Sequence, residues 1–225
     1  MKEVTLKLYK FDELDESAQQ RVIDDERGNC GTLHEEFWCN EYQATLDEFC
    51  KIIGCKVSWT HEYGNFYYRI KWDNDPFECW QYDVYIDSDH VKGKYLLRFL
   101  NRDEIYFSVR KGKYRSTPFR TGSDGKQHYR YIHSKVMFEE GNCPLTGYCA
   151  DNSILQPIWD WHKNPDLEIS LQELVEKCLD SFFEDWQADI DWGYTDDYVR
   201  EELENNCDED FYEDGTRADK FLQVA

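Results

Sequence analysis

The chain has 225 residues, with 47 Asp or Glu against 26 Lys or Arg, for a formal net charge of −21. Such a length fits one domain, or one domain with a lobe, and is enough to bury a sizeable core. The charge argues against binding nucleic acid or an anionic membrane with the whole surface, and favours steering toward basic partners.

Val4, Leu6 and Leu8 alternate with Thr5, Lys7 and Tyr9, which predicts a short half-buried strand. A helix is expected to open within 11–18, capped by Asp12 or Asp15, with Leu14, Ala18 and Val22 on its inner face. The glycines at 28 and 31 predict a turn. A second helix over about 33–53 follows from the stripe Trp38, Tyr42, Leu46, Phe49 and Ile53, with Gly54 as its stop.

From Cys55 the period changes to two. Cys55, Val57 and Trp59, then Phe66, Tyr68, Ile70 and Trp72, predict a hairpin with its loop within 61–65. Trp80, Tyr82, Val84 and Ile86 continue the alternation, strands are expected over 95–100, 105–109, 113–120 and 127–138, and 123–126 reads as a turn. The middle is therefore expected to be an antiparallel sheet of five to seven strands. A helix over 143–162 follows, broken by Asn164-Pro165. Ser170 and Glu173 form a capping box for the next, to about 191, and Thr195 caps a shorter one through Asn206. Phe211 to Gly215 predicts a closing strand and turn. The expected fold class is α+β: a single domain over 1–225, with 142–225 as an acidic helical lobe.

Eight Trp, 16 Tyr and 13 Phe against two Met predict a core built from rings. The opening shows no charged-then-apolar leader and no run approaches a membrane span. The nine cysteines are accordingly expected as free thiols in a reducing cytoplasm, with no membrane partner.

Charge is unevenly placed. Residues 166–214 hold 19 Asp or Glu against Lys177 and Arg200, and 92–135 hold twelve Lys or Arg against three acids. On a helical wheel Leu171, Leu174, Val175, Cys178, Leu179, Phe182, Phe183, Trp186 and Ile190 fill one arc, with Glu173, Glu176, Asp180 and Glu184 opposite. Carboxylates so spaced fall one every ~5 Å, against one charge per ~1.7 Å of duplex DNA. A single stripe is too sparse to imitate a duplex, so neighbouring acidic elements or a homodimer would have to add to it. Asp197, Glu201 and Glu204 form a second stripe. An ordinary solvated face is the plain alternative, although the near absence of Lys and Arg departs from a mixed-sign surface. Asp185 and Asp189 fall at the edge of the apolar arc, where fraying of the helix before Asp189 is the simplest account.

No catalytic, cofactor or metal motif emerges. The stretch from Asp189 resembles a calcium loop but has Gly193 one position early and Arg200 where Glu belongs. The closest cysteine pairs, Cys50 with Cys55 and Cys143 with Cys149, have four and five residues between them, with no second pair at zinc-ligand spacing, and the six histidines read most simply as surface or core residues. The basic segment interleaves Arg98, Arg110, Arg115, Arg120 and Arg130 with aromatic residues, which suggests an alternative: stacking of a nucleotide, oligonucleotide or RNA, as in sequestering a signal molecule. A metal-dependent nuclease is a further alternative, since carboxylates from separate elements can converge on two metal ions.

Residues Leu8-Tyr9-Lys10-Phe11-Asp12-Glu13-Leu14, with Ala18-Gln19 and Val22-Ile23-Asp24, resemble the opening of a loose family of small phage and prophage proteins. Residues Tyr194-Thr195-Asp196-Asp197-Tyr198-Val199, with Glu202, Glu204-Asn205-Asn206 and 211–215, resemble the ending such proteins share. The family has no assigned catalytic residues. The resemblance implies a phage gene product acting in a host bacterial cytoplasm, similar to acidic anti-restriction and anti-CRISPR inhibitors of host defence. The resulting expectation is a non-enzymatic protein that docks an acidic C-terminal face on a host protein, or protein–nucleic-acid complex, with a basic surface. Its contacts would be Glu173, Glu176, Asp180, Glu184, Asp197, Glu201 and Glu204, with Tyr194 and Tyr198 as anchors.

Overall fold

Asp15, not Asp12, opens the first helix. Its Oδ1 accepts the Ala18 N–H at 2.8 Å, and a 3-10 turn over Phe11–Glu13 precedes it. In this computed structural model, residues 7–72, 88–100, 102, 123, 125 and 143–218 are described in full. Backbone alone is described for 78–79, 84–85, 110–115, 118–121, 127–129 and 132–137. The strand expected at 4–8 falls largely outside these residues. Its end is seen as a bridge between Tyr9 and Phe211.

Helix α1 (Glu16–Ile53) runs unbroken for 38 residues, which corrects the expected turn at 28–31 and the separate second helix. Glycine within a helix costs about 1 kcal/mol relative to alanine. At Gly31 tertiary contact overrides that cost, because the missing side chain makes room for the Tyr194 ring. Gly54 ends the helix as expected, with φ at +88° and its N–H donating to the Cys50 carbonyl at 2.8 Å.

Strands β1 (Cys55–Glu62) and β2 (Asn65–Trp72) form the predicted hairpin, with Val57 opposite Ile70 and Trp59 opposite Tyr68. Tyr63 and Gly64 both have positive φ, as a two-residue hairpin turn matching strand twist demands. Further strands are β3 (Glu78–Cys79), β4 (Val84–Tyr85), β5 (Arg110–Arg115), β6 (Pro118–Thr121), β7 (Gln127–Tyr129) and β8 (Ile132–Met137). Among the described residues the strands join in antiparallel pairs, β1–β2, β3–β4, β5–β8 and β6–β7, rather than in one broad sheet. The strand expected at 105–109 lies outside the described residues.

The strand expected at 95–100 is instead helix α2 (Lys94–Leu100). Leu96, Phe99 and Leu100 are buried while Leu97 is exposed, which is a helical period and not an alternating one. Helix α3 (Ala150–Lys163) also begins later than the expected 143. The fully buried Asp151 carboxylate accepts the N–H groups of Leu145, Thr146 and Gly147 at 2.8, 2.9 and 3.2 Å. It also takes the hydroxyls of Thr45 and Thr146, at 2.9 and 2.8 Å. Those bonds wrap 143–149 as a loop around the first turn of α3.

The Ser170 capping box opens α4 (Leu171–Gly193): Glu173 N–H donates to Ser170 Oγ, and Ser170 N–H to Glu173 Oε2. The helix continues past Asp189 without fraying. Thr195 caps α5 (Asp196–Asn206) by accepting the Tyr198 N–H. Five α-helices and paired antiparallel strands among the described residues place the chain in the α+β class.

Two compact units result, one of the described residues up to Asn40 with those from Trp186 onward, the other from Glu41 to Asp185. The expected 142–225 lobe is thus shared between them. In the unit 41–185, the nine-residue apolar arc of α4 is buried up to Phe183, and the aromatic face of the hairpin lies on it. Phe183 stacks on Phe66 and Tyr68, with ring centroids at 5.0 and 5.3 Å. On the hairpin, Trp59 Nε1 donates to Gln43 and Trp72 Nε1 to Gln172.

In the other unit, Phe11, Leu14, Ala18, Val22 and Ile23 pack with Val199, Leu203 and Phe211. Tyr9 and Phe211 exchange backbone hydrogen bonds at 2.9 and 2.8 Å, and Lys10 Nζ lies 3.1 Å from Asp210. Residues near the two ends of the chain therefore fold against each other.

Candidate functional site

The carboxylates expected to face a partner have separate fates. Glu173 is occupied by the capping box, where the Ser170 N–H holds its carboxyl below the usual range. Glu176 accepts Gln172 Nε2 at 2.6 Å, and Asp180 accepts the Tyr68 hydroxyl at 2.5 Å. Burial and that bond to Asp180 push the Tyr68 hydroxyl up. Glu184 is exposed. These four belong to the unit 41–185. Asp185, on the same unit, receives the Tyr42 hydroxyl at 3.3 Å.

Tyr194, Asp197, Tyr198, Glu201 and Glu204 belong to the other unit. Tyr194 is half-buried over Gly31, its hydroxyl 3.5 Å from Glu35 Oε2, so it fastens the end of α4 to α1. Asp197, Glu201 and Glu204 are exposed and make no side-chain hydrogen bond or ion pair with the described residues. The nearby arginines are engaged elsewhere. Arg27 bridges Asp24 and Asp196 and holds the Asp196 carboxyl below its usual range, and Arg200 donates to Gln19.

Beside this acidic face of α5 lies a cleft of about 550 Å³. One turn and a half of α1 supplies Leu33, His34, Phe37 and Trp38, the end of α4 supplies Asp189 and Trp192, and α5 supplies Tyr198, Glu201 and Glu202. Gly193 sets its depth: a side chain there would stand 2.7 Å from the His34 ring, so only glycine lets α4 close on α1. The Tyr198 ring meets His34 edge-on at 4.6 Å, and Trp192 meets Tyr198 at 6.4 Å. Burial and the neighbouring Glu202 push the Tyr198 hydroxyl up.

His34 is buried, at 7% exposure, with Nε2 3.3 Å from Asp189 Oδ2 but without a directed hydrogen bond among the described residues. Leu33, Phe37 and Trp192 at the mouth are 66%, 65% and 45% exposed.

Of these residues the sequence marks only Tyr198 and Glu201 as contacts. His34, Trp38, Trp192 and Glu202 carry no signal of spacing, since they come from three separate elements. The one clue is Asp189, whose place at the edge of the apolar arc is explained by His34.

Arg98 is exposed on α2. The side chains of Arg110, Arg115 and Arg120, and all of Arg130, lie outside the described residues. Among the described residues no three His, Cys, Asp or Glu converge as a metal-ligand set, and no helix is long and apolar enough to cross a membrane. The eight cysteines whose side chains are described are free thiols. No protein-family model, curated protein or solved structure matches the chain.

Proposed function

We propose that the protein is a binding protein whose acidic C-terminal face docks on the basic surface of a nucleic-acid-handling protein or complex in a host bacterium, inhibiting a defence system. The observation that carries this reading is the state of the α5 carboxylates. Asp197, Glu201 and Glu204 project into solvent without a basic partner among the described residues, next to exposed Phe37 and Trp192. Like charges four apart on a helix, as Asp197 and Glu201 are, destabilise it by a few tenths of a kcal/mol per pair; the place of Asp197 in the first turn offsets this for Asp197, and Glu201 and Glu204 have no such offset. Exposed carboxylates beside exposed rings are the combination that interfaces reward: charge steers the encounter and aromatic anchors hold it. The resemblance of both chain ends to small phage proteins supplies the host context.

The test is capture of partners from host bacterial cells with the tagged protein, at low and moderate salt, followed by their identification. A basic nucleic-acid-handling protein should be retained at low salt and lost as salt rises. The triple substitution Asp197→Lys, Glu201→Lys, Glu204→Lys should abolish capture without unfolding the chain. Retention of the same partner by that variant would refute the reading.

A further inference from the structure

We propose that the cleft between α1, the end of α4 and α5 receives a single arginine side chain of the basic partner, held between aromatic rings and the Glu201–Glu202 carboxylates. This deepens the reading above and rests on it.

Three observations on the cleft converge. Its lining holds three carboxylates, Asp189, Glu201 and Glu202, and no Lys or Arg, so its field attracts a cation. Trp38, Trp192 and Tyr198 line the same space, and ring faces bind cations through their quadrupole, with Trp the best of them. The third is His34, more than nine-tenths buried at the floor, with an Nε2 that makes no directed hydrogen bond. Its Nε2 lies 3.3 Å from Asp189 Oδ2 and holds that carboxylate at the cleft, where its charge meets an incoming guanidinium.

Arginine fits these features better than lysine. A guanidinium is planar and weakly hydrated. It stacks on an indole or phenol ring while its N–H groups pair with a carboxylate in a fork, whereas an ammonium offers a compact, strongly hydrated charge. A cleft of about 550 Å³ lies within the usual size range of ligand sites and accommodates one such side chain with its flanking backbone at the mouth. There the exposed Leu33 and Phe37 would be covered on docking, as the rim around an interface anchor excludes water.

Three acetylated, amidated tripeptides, Gly-Arg-Gly, Gly-Lys-Gly and Gly-citrulline-Gly, titrated into the full chain provide the test, read by shifts of the tryptophan indole N–H signals. Nona-arginine serves as a separate probe of the acidic face. The Arg peptide should bind saturably, about tenfold more tightly than the citrulline peptide, and move the Trp38 and Trp192 signals. Trp192→Ala and the pair Glu201→Gln with Glu202→Gln should each weaken it about tenfold. Unchanged thermal melting would confirm that these variants are folded. Equal binding of Arg and citrulline peptides, or wild-type affinity in both variants, overturns the proposal. If nona-arginine binds in a salt-dependent way while the Arg tripeptide leaves the two indoles unmoved, the cleft is excluded and the acidic-face reading stands. If neither binds, both fall.

Discussion

The ring of Tyr194 lies directly over the Cα of Gly31, so close that a side chain at residue 31 would stand 2.4 Å from ring carbons Cδ1 and Cε1. Gly28, one turn earlier in the same helix, has nothing within 4 Å of where its side chain would be. The two glycines thus do opposite things. Gly31→Ala should destabilise the fold by about 1–3 kcal/mol through overpacking. Gly28→Ala should stabilise it by up to about 1 kcal/mol through helix propensity. Chemical denaturation of the two variants checks both signs, and the same sign for both would mean that Tyr194 does not pack on Gly31.

Asp151 anchors the 143–149 loop with five accepted hydrogen bonds. Asp151→Ala strands three backbone N–H groups and should cost about 3 kcal/mol or more. Asp151→Asn should cost clearly less, because its amide oxygen can keep the three N–H groups while its NH₂ donates to the two threonine hydroxyls. Urea midpoints of the three proteins give the ranking.

Burial beside Trp161 pushes the His162 imidazole down to about 4 from its usual 6.5. The folded form keeps it neutral while the unfolded chain protonates it, so between those values the unfolded state binds more protons. Stability from this group is therefore complete above pH 6.5 and is lost as pH falls toward 4, by about 3 kcal/mol in all. Denaturation of wild type and His162→Gln at pH 7 and pH 5 should show a smaller pH effect in the variant.

Tyr63 sits at the hairpin turn with φ at +54° and 96% exposure, a conformation that suits Asn or Gly. Tyr63→Asn should raise stability by about 1 kcal/mol. A loss on that substitution would show that the tyrosine ring contributes contacts of its own.

Where local pattern and tertiary need agree, the sequence is readable. The β1–β2 hairpin keeps its expected period, Ser170 and Thr195 cap α4 and α5 as their residue types imply, and the nine apolar residues of α4 are all buried. The misreadings have a common cause. Residues 94–100 have both a helical and an alternating apolar pattern, and the burial of Phe99 together with Leu96 and Leu100 selects the helix. Gly28 and Gly31 look like a turn because the Tyr194 ring that uses Gly31 is 163 residues away in the chain. Asp189 looks misplaced until His34 stands beside it.

The sequence by itself determined the α+β class, the segregation of charge into a basic middle and an acidic end, and the amphipathic face of α4, because these are properties of residues near one another along the chain. Only the tertiary structure decided that α1 is continuous, that the carboxylates of α4 and α5 divide between two units, and that Trp38, Trp192, Tyr198 and Glu201 share one cleft. Those outcomes depend on which side chains meet across more than a hundred residues, and no local period encodes them.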